Sequence, residues 1–222
     1  MLVVGLGNSG AEIAADLAES GTARVAVAVR TPPPISRRDV LGIPTQLLGI
    51  AGSLLPARLA DRIAALLRRL GTGDLSRFGL EPAAWGSFSA RRPPVIDAGF
   101  LDALRRGRIE ILPAVAELTP EGVVFEDGRR EPFDAVIAAT GYRSALPELL
   151  GLPEGDAPGA LPPGLHAIGF RESVRGALFE IKRDSLRLAR EIERELATLA
   201  ESPDLRSGIS PSRAAAKIGL FT

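Results

Sequence analysis

The feature that most constrains this chain is a glycine loop held inside a strand–helix–strand frame. Gly5-Leu6-Gly7-Asn8-Ser9-Gly10 has the spacing G-x-G-x-x-G, and the apolar run Leu2–Val4 precedes it. After it, Ile13, Ala14, Leu17 and Ala18 recur at helical spacing, and Gly21 marks a stop. Arg24–Val29, rich in valine, reads as a second buried strand. The spacing alone is a weak signal; the strand before it and the helix after it give it meaning. Gly5 permits the tight turn. Gly7 lets the backbone approach a pyrophosphate, and Gly10 lets the helix pack close to the strand. The first free amides of the helix and its positive dipole end then face the phosphates, where Asn8 and Ser9 can add donors. The expected fold is α/β, a Rossmann-like domain with a parallel sheet.

The end of the second strand selects the nucleotide. An Asp or Glu there bonds the ribose 2′-hydroxyl of NAD. This chain has Arg30 and then Thr31, with Arg37 and Arg38 a little further on. A guanidinium suits a 2′-phosphate, which it can bond bidentately. The reading is therefore NADPH in preference to NADH.

Composition removes several other classes. There is no Cys, which excludes disulfides, thiolate metal sites and a redox-active Cys pair. With His166 the sole histidine, neither a His-based metal site nor a Ser-His-Asp triad is expected. Lys+Arg equals Asp+Glu at 27 each, so charge gives no argument for nucleic acid or an anionic membrane. No apolar run reaches the roughly 18–20 residues of a membrane span. The start reads as a strand and not as a signal peptide, so a cytoplasmic, reducing location is expected.

Further along, the three prolines within Thr31–Ser36 mark a loop, and residues 40–70 follow a helical pattern. Leu55, Leu59, Ile63, Leu66, Leu67 and Leu70 share one face there, expected to pack on a sheet. Gly71–Pro94 reads as a long irregular connection, then Asp97–Arg105 as a short helix with Asp97 as N-cap. Ile109–Leu112, Val115–Leu118 and Val123–Glu126 read as strands of a small antiparallel insertion, with Asp127-Gly128 as a hairpin turn. Asp134–Ala139 is expected to be a buried strand, ending at Thr140-Gly141. A Pro/Gly-rich stretch, Leu146–Pro163, leads to a short strand at Leu165–Ile168 and to a long helix from Gly176 to about Ala200. The polar tail from residue 203 is expected to be loose. No internal repeat is evident.

In this order the segments resemble the flavin-containing monooxygenases, nearest to the plant YUCCA-type enzymes and their bacterial relatives. The likeness rests on residues 5–14 (GLGNSGAEIA), 29–32 (VRTP), 38–42 (RDVLG), 78–80 (FGL), 94–99, 134–142 (DAVIAATGY) and 165–170 (LHAIGF). The resemblance implies two nested nucleotide-binding folds, one for FAD and one for NADPH. On that basis residues 1–140 form the NADPH domain, 141–202 a returning but incomplete segment of the FAD domain, and 203–222 a flexible tail. Gly5, Gly7, Asn8, Ser9, Gly10, Arg30, Thr31 and Arg38 would serve NADPH. Thr140, Gly141 and Gly169 would lie by the cofactors, with the helix start at Gly176-Ala177 approaching the flavin. NADPH would reduce FAD, and a flavin hydroperoxide would oxygenate a small organic substrate. The flavin does the chemistry, so no catalytic residue is named; His166 reads as structural.

The chain also departs from the family pattern. No glycine loop precedes Gly5, and the family's FxGxxxHxxx-aromatic sequence is absent. Most of the FAD site is thus expected outside these residues, so this chain alone is not expected to be competent. Its partners would be a small-molecule substrate and either a separate FAD half or a second copy of the chain. Two other readings stay open: a free-standing NADPH-binding or sensing module, and a flavin reductase without monooxygenase activity.

Overall fold

The computed structural model describes residues 1–40, 42–143, 145–150, 161, 164–170 and 172–201. A four-stranded parallel sheet forms its centre. The strands are β1 (Leu2–Val4), β2 (Val25–Ala28), β7 (Ile109–Leu112) and β11 (Val136–Ala138), in the order β11-β1-β2-β7. β1 pairs on both sides, Leu2 with Val136 and with Ala26, and Val4 with Ala138 and with Ala28.

Side-chain alternation along these strands builds two distinct cores. Val3, Val25 and Val27 face α1 (Asn8–Glu19) and α4 (Phe100–Arg105), joining Ala11, Ala14, Ala15, Phe100, Leu101 and Leu104. Alanines on α1 let that helix lie close to the sheet. Leu2, Ala26, Ala28 and Leu112 face the opposite way, onto Val123 and Phe125. Those two residues belong to an antiparallel sheet of β8 (Val115–Thr119), β9 (Gly122–Phe125) and β10 (Arg130–Glu131). Phe125 meets Phe133 edge to face, with ring centroids 6.4 Å apart. The result is three layers: helices, parallel sheet, antiparallel sheet. The hairpin turn at Asp127-Gly128 is present, with the Gly128 amide donating to the Phe125 carbonyl at 2.9 Å.

Between β2 and β7 the chain makes a long excursion. It contains β3 (Ile35–Arg37), the hairpin of β4 (Asp39–Val40) and β5 (Ile43–Pro44), α2 (Thr45–Gly52), α3 (Ala57–Thr72), a 3₁₀ turn (Ser76–Phe78) and β6 (Val95–Asp97), which pairs parallel with β3. After β11 come a short α5 (Leu146–Leu150) and the long α6 (Ala177–Glu201).

Several expectations are corrected. The single helical stretch over 40–70 is a hairpin and two helices. Pro56 separates them, because proline is admitted at a helix start and disrupts a helix interior. The leucine face of α3 does not pack on the parallel sheet: Leu59, Ile63, Leu66 and Leu70 are all exposed, and the buried residues of the helix are Ala60 and Thr72. The region expected as loop over Thr31–Ser36 gives way to β3 at Ile35, since Val95 offers its edge there. The helix expected from Asp97 begins at Phe100, with Gly99 in the cap position. Asp97 still caps it, its Oδ1 accepting from the Leu101 amide at 3.0 Å. β11 is not buried: Val136 and Ala138 are exposed, because among the described residues the strand pairs on one side only. Leu165–Ile168 forms no strand, as no described strand pairs with it. The tail from 203, and residues 151–160 of the Pro/Gly-rich stretch, lie outside the described residues.

Candidate functional site: the carboxyl edge of the parallel sheet

The strand order sets where a ligand can sit. From β1 the chain proceeds outward through β2 to β7, and then returns to place β11 on the other side of β1. The carboxyl ends of β1 and β11 therefore flank a switch point, where adjacent loops diverge and leave a crevice.

The glycine loop occupies that crevice, and each glycine has a separate reason to be there. Gly5 has φ +103°, and a Cβ on it would stand 2.5 Å from the Ala139 carbonyl oxygen. A Cβ on Gly10 would stand 2.1 Å from the Gly5 carbonyl oxygen, so the loop and the first turn of α1 are in direct backbone contact. Gly7 differs: among the described residues nothing lies within 4 Å of the place its Cβ would take. Two glycines thus answer to the protein, and the third faces open space.

The start of α1 has no side-chain cap on it and no acidic residue in its first turn. The first intrahelical bond runs from the Ala11 amide to the Gly7 carbonyl at 2.9 Å. The amides of Asn8, Ser9 and Gly10 point out of the helix end, as first-turn amides do. Asn8 plays a part that the sequence did not reveal. Its Oδ1 accepts from the Ile96 amide at 2.8 Å, which ties the loop to β6 and leaves its Nδ2 as donor. Ser9 is exposed on the same turn.

Arg30 and Thr31 follow β2, whose carboxyl end lies beside that of β1. Both are exposed, and the Arg30 side chain makes no hydrogen bond or ion pair among the described residues. Arg38 follows β3, also exposed, with its carbonyl accepting from the Thr45 amide at 3.0 Å. Thr140 and Gly141 leave β11 directly beside the loop, since the Gly5 Cβ position is 3.5 Å from the Thr140 Cα. Tyr142 is almost wholly exposed there.

Gly169 is not brought to the loop by any described contact. Its described neighbour is Ile181 of α6, 3.6 Å from its Cβ position. The start of α6 is likewise held by protein. Gln46 Nε2 donates to the Arg175 carbonyl at 3.1 Å, and a Cβ on Gly49 would meet the Val174 carbonyl oxygen. Glu180 is buried and takes the Arg175 guanidinium at 2.6 Å. Burial pushes its carboxyl up, but bonding from Ser173 and Arg175 and the charges of Arg175 and Arg183 outweigh this and hold it below the ordinary value. His166 meets Glu195 at 3.2 Å, pinning the 164–170 segment to α6.

A second feature was not legible in the sequence. A cavity of about 1000 Å³ opens between α2, α3 and residues 174–178, with Ile96 in its wall. Arg68 of α3 lines it, while Asp61, two turns earlier on the same helix, accepts from the Phe88 and Ser89 amides.

Parallel strand order, glycine loop and helix-end geometry together define a Rossmann-like α/β protein. The family model for flavin-binding monooxygenase-like proteins matches residues 1–151, and the chain belongs to that family. It is 36% identical over 211 residues to the indole-3-pyruvate monooxygenase YUCCA1 of Oryza sativa subsp. japonica, covering 86% of this chain and 50% of that protein. It is 34% identical over 210 residues to a probable indole-3-pyruvate monooxygenase of Arabidopsis thaliana, covering 86% of this chain and 49% of that one. Among solved structures, a double mutant of the flavin monooxygenase of Stenotrophomonas maltophilia shares the fold. Its TM-score is 0.56 at 24% identity, covering 88% of this chain and 51% of that chain. The chain spans about half the length of the curated relatives it matches.

Proposed function

We propose that this chain is the NADPH-binding portion of a flavin-dependent monooxygenase. The observation that carries the reading is the pairing of an open helix end beside Gly7 with Arg30, which follows the neighbouring strand β2 and is unpaired among the described residues. The pyrophosphate lies against the amides of Asn8, Ser9 and Gly10, where Gly7 leaves it room. Ser9 and the Asn8 Nδ2 add donors. The 2′-phosphate is taken by Arg30 and Thr31, with Arg38 as a further cation from the β3 end. Residues 1–140 form this domain, and Thr140-Gly141 begins the return to a flavin domain formed with residues 141–202.

Bound in the whole protein, FAD would supply the redox chemistry, hydride acceptance from NADPH and dioxygen activation toward a small organic substrate. The described residues fit the NADPH part of that arrangement. They show no comparable cradle for the flavin, because Gly169 and Gly176 lean on Ile181 and Gln46. No step is therefore derived through FAD. Indole-3-pyruvate, named for the relatives, is the first substrate to test with the full enzyme.

The test is calorimetric titration of the 222-residue chain with NADPH and with NADH, in the wild type and in Arg30→Gln. Flavin absorbance of the same samples shows whether FAD is carried. One charge-assisted contact contributes about 1.5–3 kcal/mol, so Arg30→Gln should weaken NADPH about 10- to 100-fold and leave NADH unchanged. Equal affinity of the wild type for both nucleotides would remove Arg30 from the site.

A further inference from the structure

The cavity between α2 and α3 has an unusual lining. Its walls are aliphatic, with Leu48, Leu55, Ile63, Leu67 and Leu70 prominent, and Phe88 is the one aromatic side chain among its lining residues. Among the polar groups on this surface, Thr45, Gln46 and Thr72 are bonded to backbone carbonyls, whereas Ser87 and Arg68 have no hydrogen-bond or ion-pair partner among the described residues. Ser87 is 3% exposed, and its hydroxyl makes no hydrogen bond among the described residues. Arg68 is half-buried, and its guanidinium makes no hydrogen bond or ion pair among the described residues. Burial pushes the Arg68 guanidinium down from its ordinary value, and the charge of Asp61 only partly offsets this.

Asp61 is not available to neutralise Arg68. Its carboxylate accepts from the Phe88 amide at 2.8 Å, from the Ser89 amide at 3.0 Å and from the Ser89 hydroxyl. Those bonds fold the turn that carries Ser87 and Phe88 onto α3. Gly86 is pressed against the same carboxylate, where a Cβ would stand 2.2 Å from Cγ. The Phe88 ring closes the other side against Gly52 of α2. The turn is thus built to hold an unsatisfied hydroxyl in an apolar wall shared with an unsatisfied cation. Arg37 and Asp39 also line the cavity, exposed and opposite in sign.

A buried donor and a desolvated cation are costly unless something answers them. A carboxylate answers both: it carries the charge Arg68 lacks and accepts from a hydroxyl. The aliphatic walls call for an apolar body. At about 1000 Å³ the cavity stands at the upper end of small-ligand sites, larger than a short aromatic acid fills. We propose that this cavity binds a long-chain aliphatic monocarboxylate, its head on Arg68 and Ser87 and its chain along the leucines of α2 and α3. This site is separate from the glycine loop and does not depend on the nucleotide reading.

Trp85 is the chain's only tryptophan and lies two residues before Ser87, with Arg92 stacked over its ring at 5.4 Å. It does not line the cavity but sits on the turn that carries Ser87 and Phe88, so its emission serves as the reporter. The full chain should be titrated with dodecanoate, dodecanol and phenylacetate, following Trp85 emission below the micellar range. Saturable binding of dodecanoate is expected, at least tenfold tighter than dodecanol or phenylacetate. Arg68→Met should weaken it at least tenfold and Ser87→Ala severalfold. Thermal melting keeps the test clear of misfolding. Arg68→Met removes an unpaired cation, so it should melt no lower than the wild type, and dodecanoate should raise the melting temperature of the wild type alone. Dodecanol binding as tightly as dodecanoate would overturn the carboxylate head. Phenylacetate binding more tightly would overturn the aliphatic body. Unchanged affinity in Arg68→Met, or no saturable binding at all, would overturn the site.

Discussion

Leu2, Val3 and Val27 of the sheet are 0% exposed, whereas Leu59, Leu66 and Leu70 of α3 are 46%, 59% and 75% exposed. The two regions are similarly rich in apolar residues, and the difference lies in how each satisfies its backbone. A strand needs neighbours for its amides and carbonyls, so forming the sheet already assembles the partners that bury its side chains. A helix closes its own hydrogen bonds and can stand with an apolar face uncovered. The sheet therefore completes its two cores from within the described residues. The helical excursion instead presents a wide apolar surface with a cavity behind it, the kind of patch that marks an interaction site.

That contrast can be broken most decisively in the helix-side core. Phe100→Ala removes a fully buried ring and should cost about 3–5 kcal/mol in denaturant unfolding. A cost under 1 kcal/mol would mean that the core is not closed. Gly10→Ala comes next. Its Cβ meets a backbone oxygen that cannot move aside, so a loss of about 3 kcal/mol is expected, at the upper end of overpacking costs. Gly7→Ala, which meets nothing, should leave stability within about 0.5 kcal/mol while weakening NADPH. If both glycine variants melt alike, the division of labour in the loop is wrong.

Glu180 tests how firmly α6 is held. Its folded value is depressed, so its contribution is fully present above the unfolded carboxyl value of about 4.3 and is lost as pH falls through the folded value. Glu180→Gln should cost about 2 kcal/mol at neutral pH, with Arg175 left partly buried and unpaired. The gap from the wild type should close in acid; a gap independent of pH would assign the effect to packing. The smallest effect belongs to the uncovered face: Leu70→Ala should change stability by less than about 0.5 kcal/mol. A loss comparable to that of Phe100→Ala would show that something covers α3 in solution.

The sequence by itself determined the glycine loop, its two flanking strands and the enclosed helix. Every constraint there is local: spacing, turn chemistry and apolar periodicity over about thirty residues. It also announced the antiparallel strands through the Asp127-Gly128 turn, and the family through motifs in order. What only the tertiary structure decided was which surfaces meet. Asn8 turned out to bond β6, 88 residues away in sequence, and β11 became an exposed edge. The leucines of α3 came to line a cavity around Arg68 and Ser87 where the pattern had suggested a sheet contact. Periodicity tells which side of a helix is apolar. Burial depends on what is brought against that side, and that is settled by contacts between residues far apart in the chain.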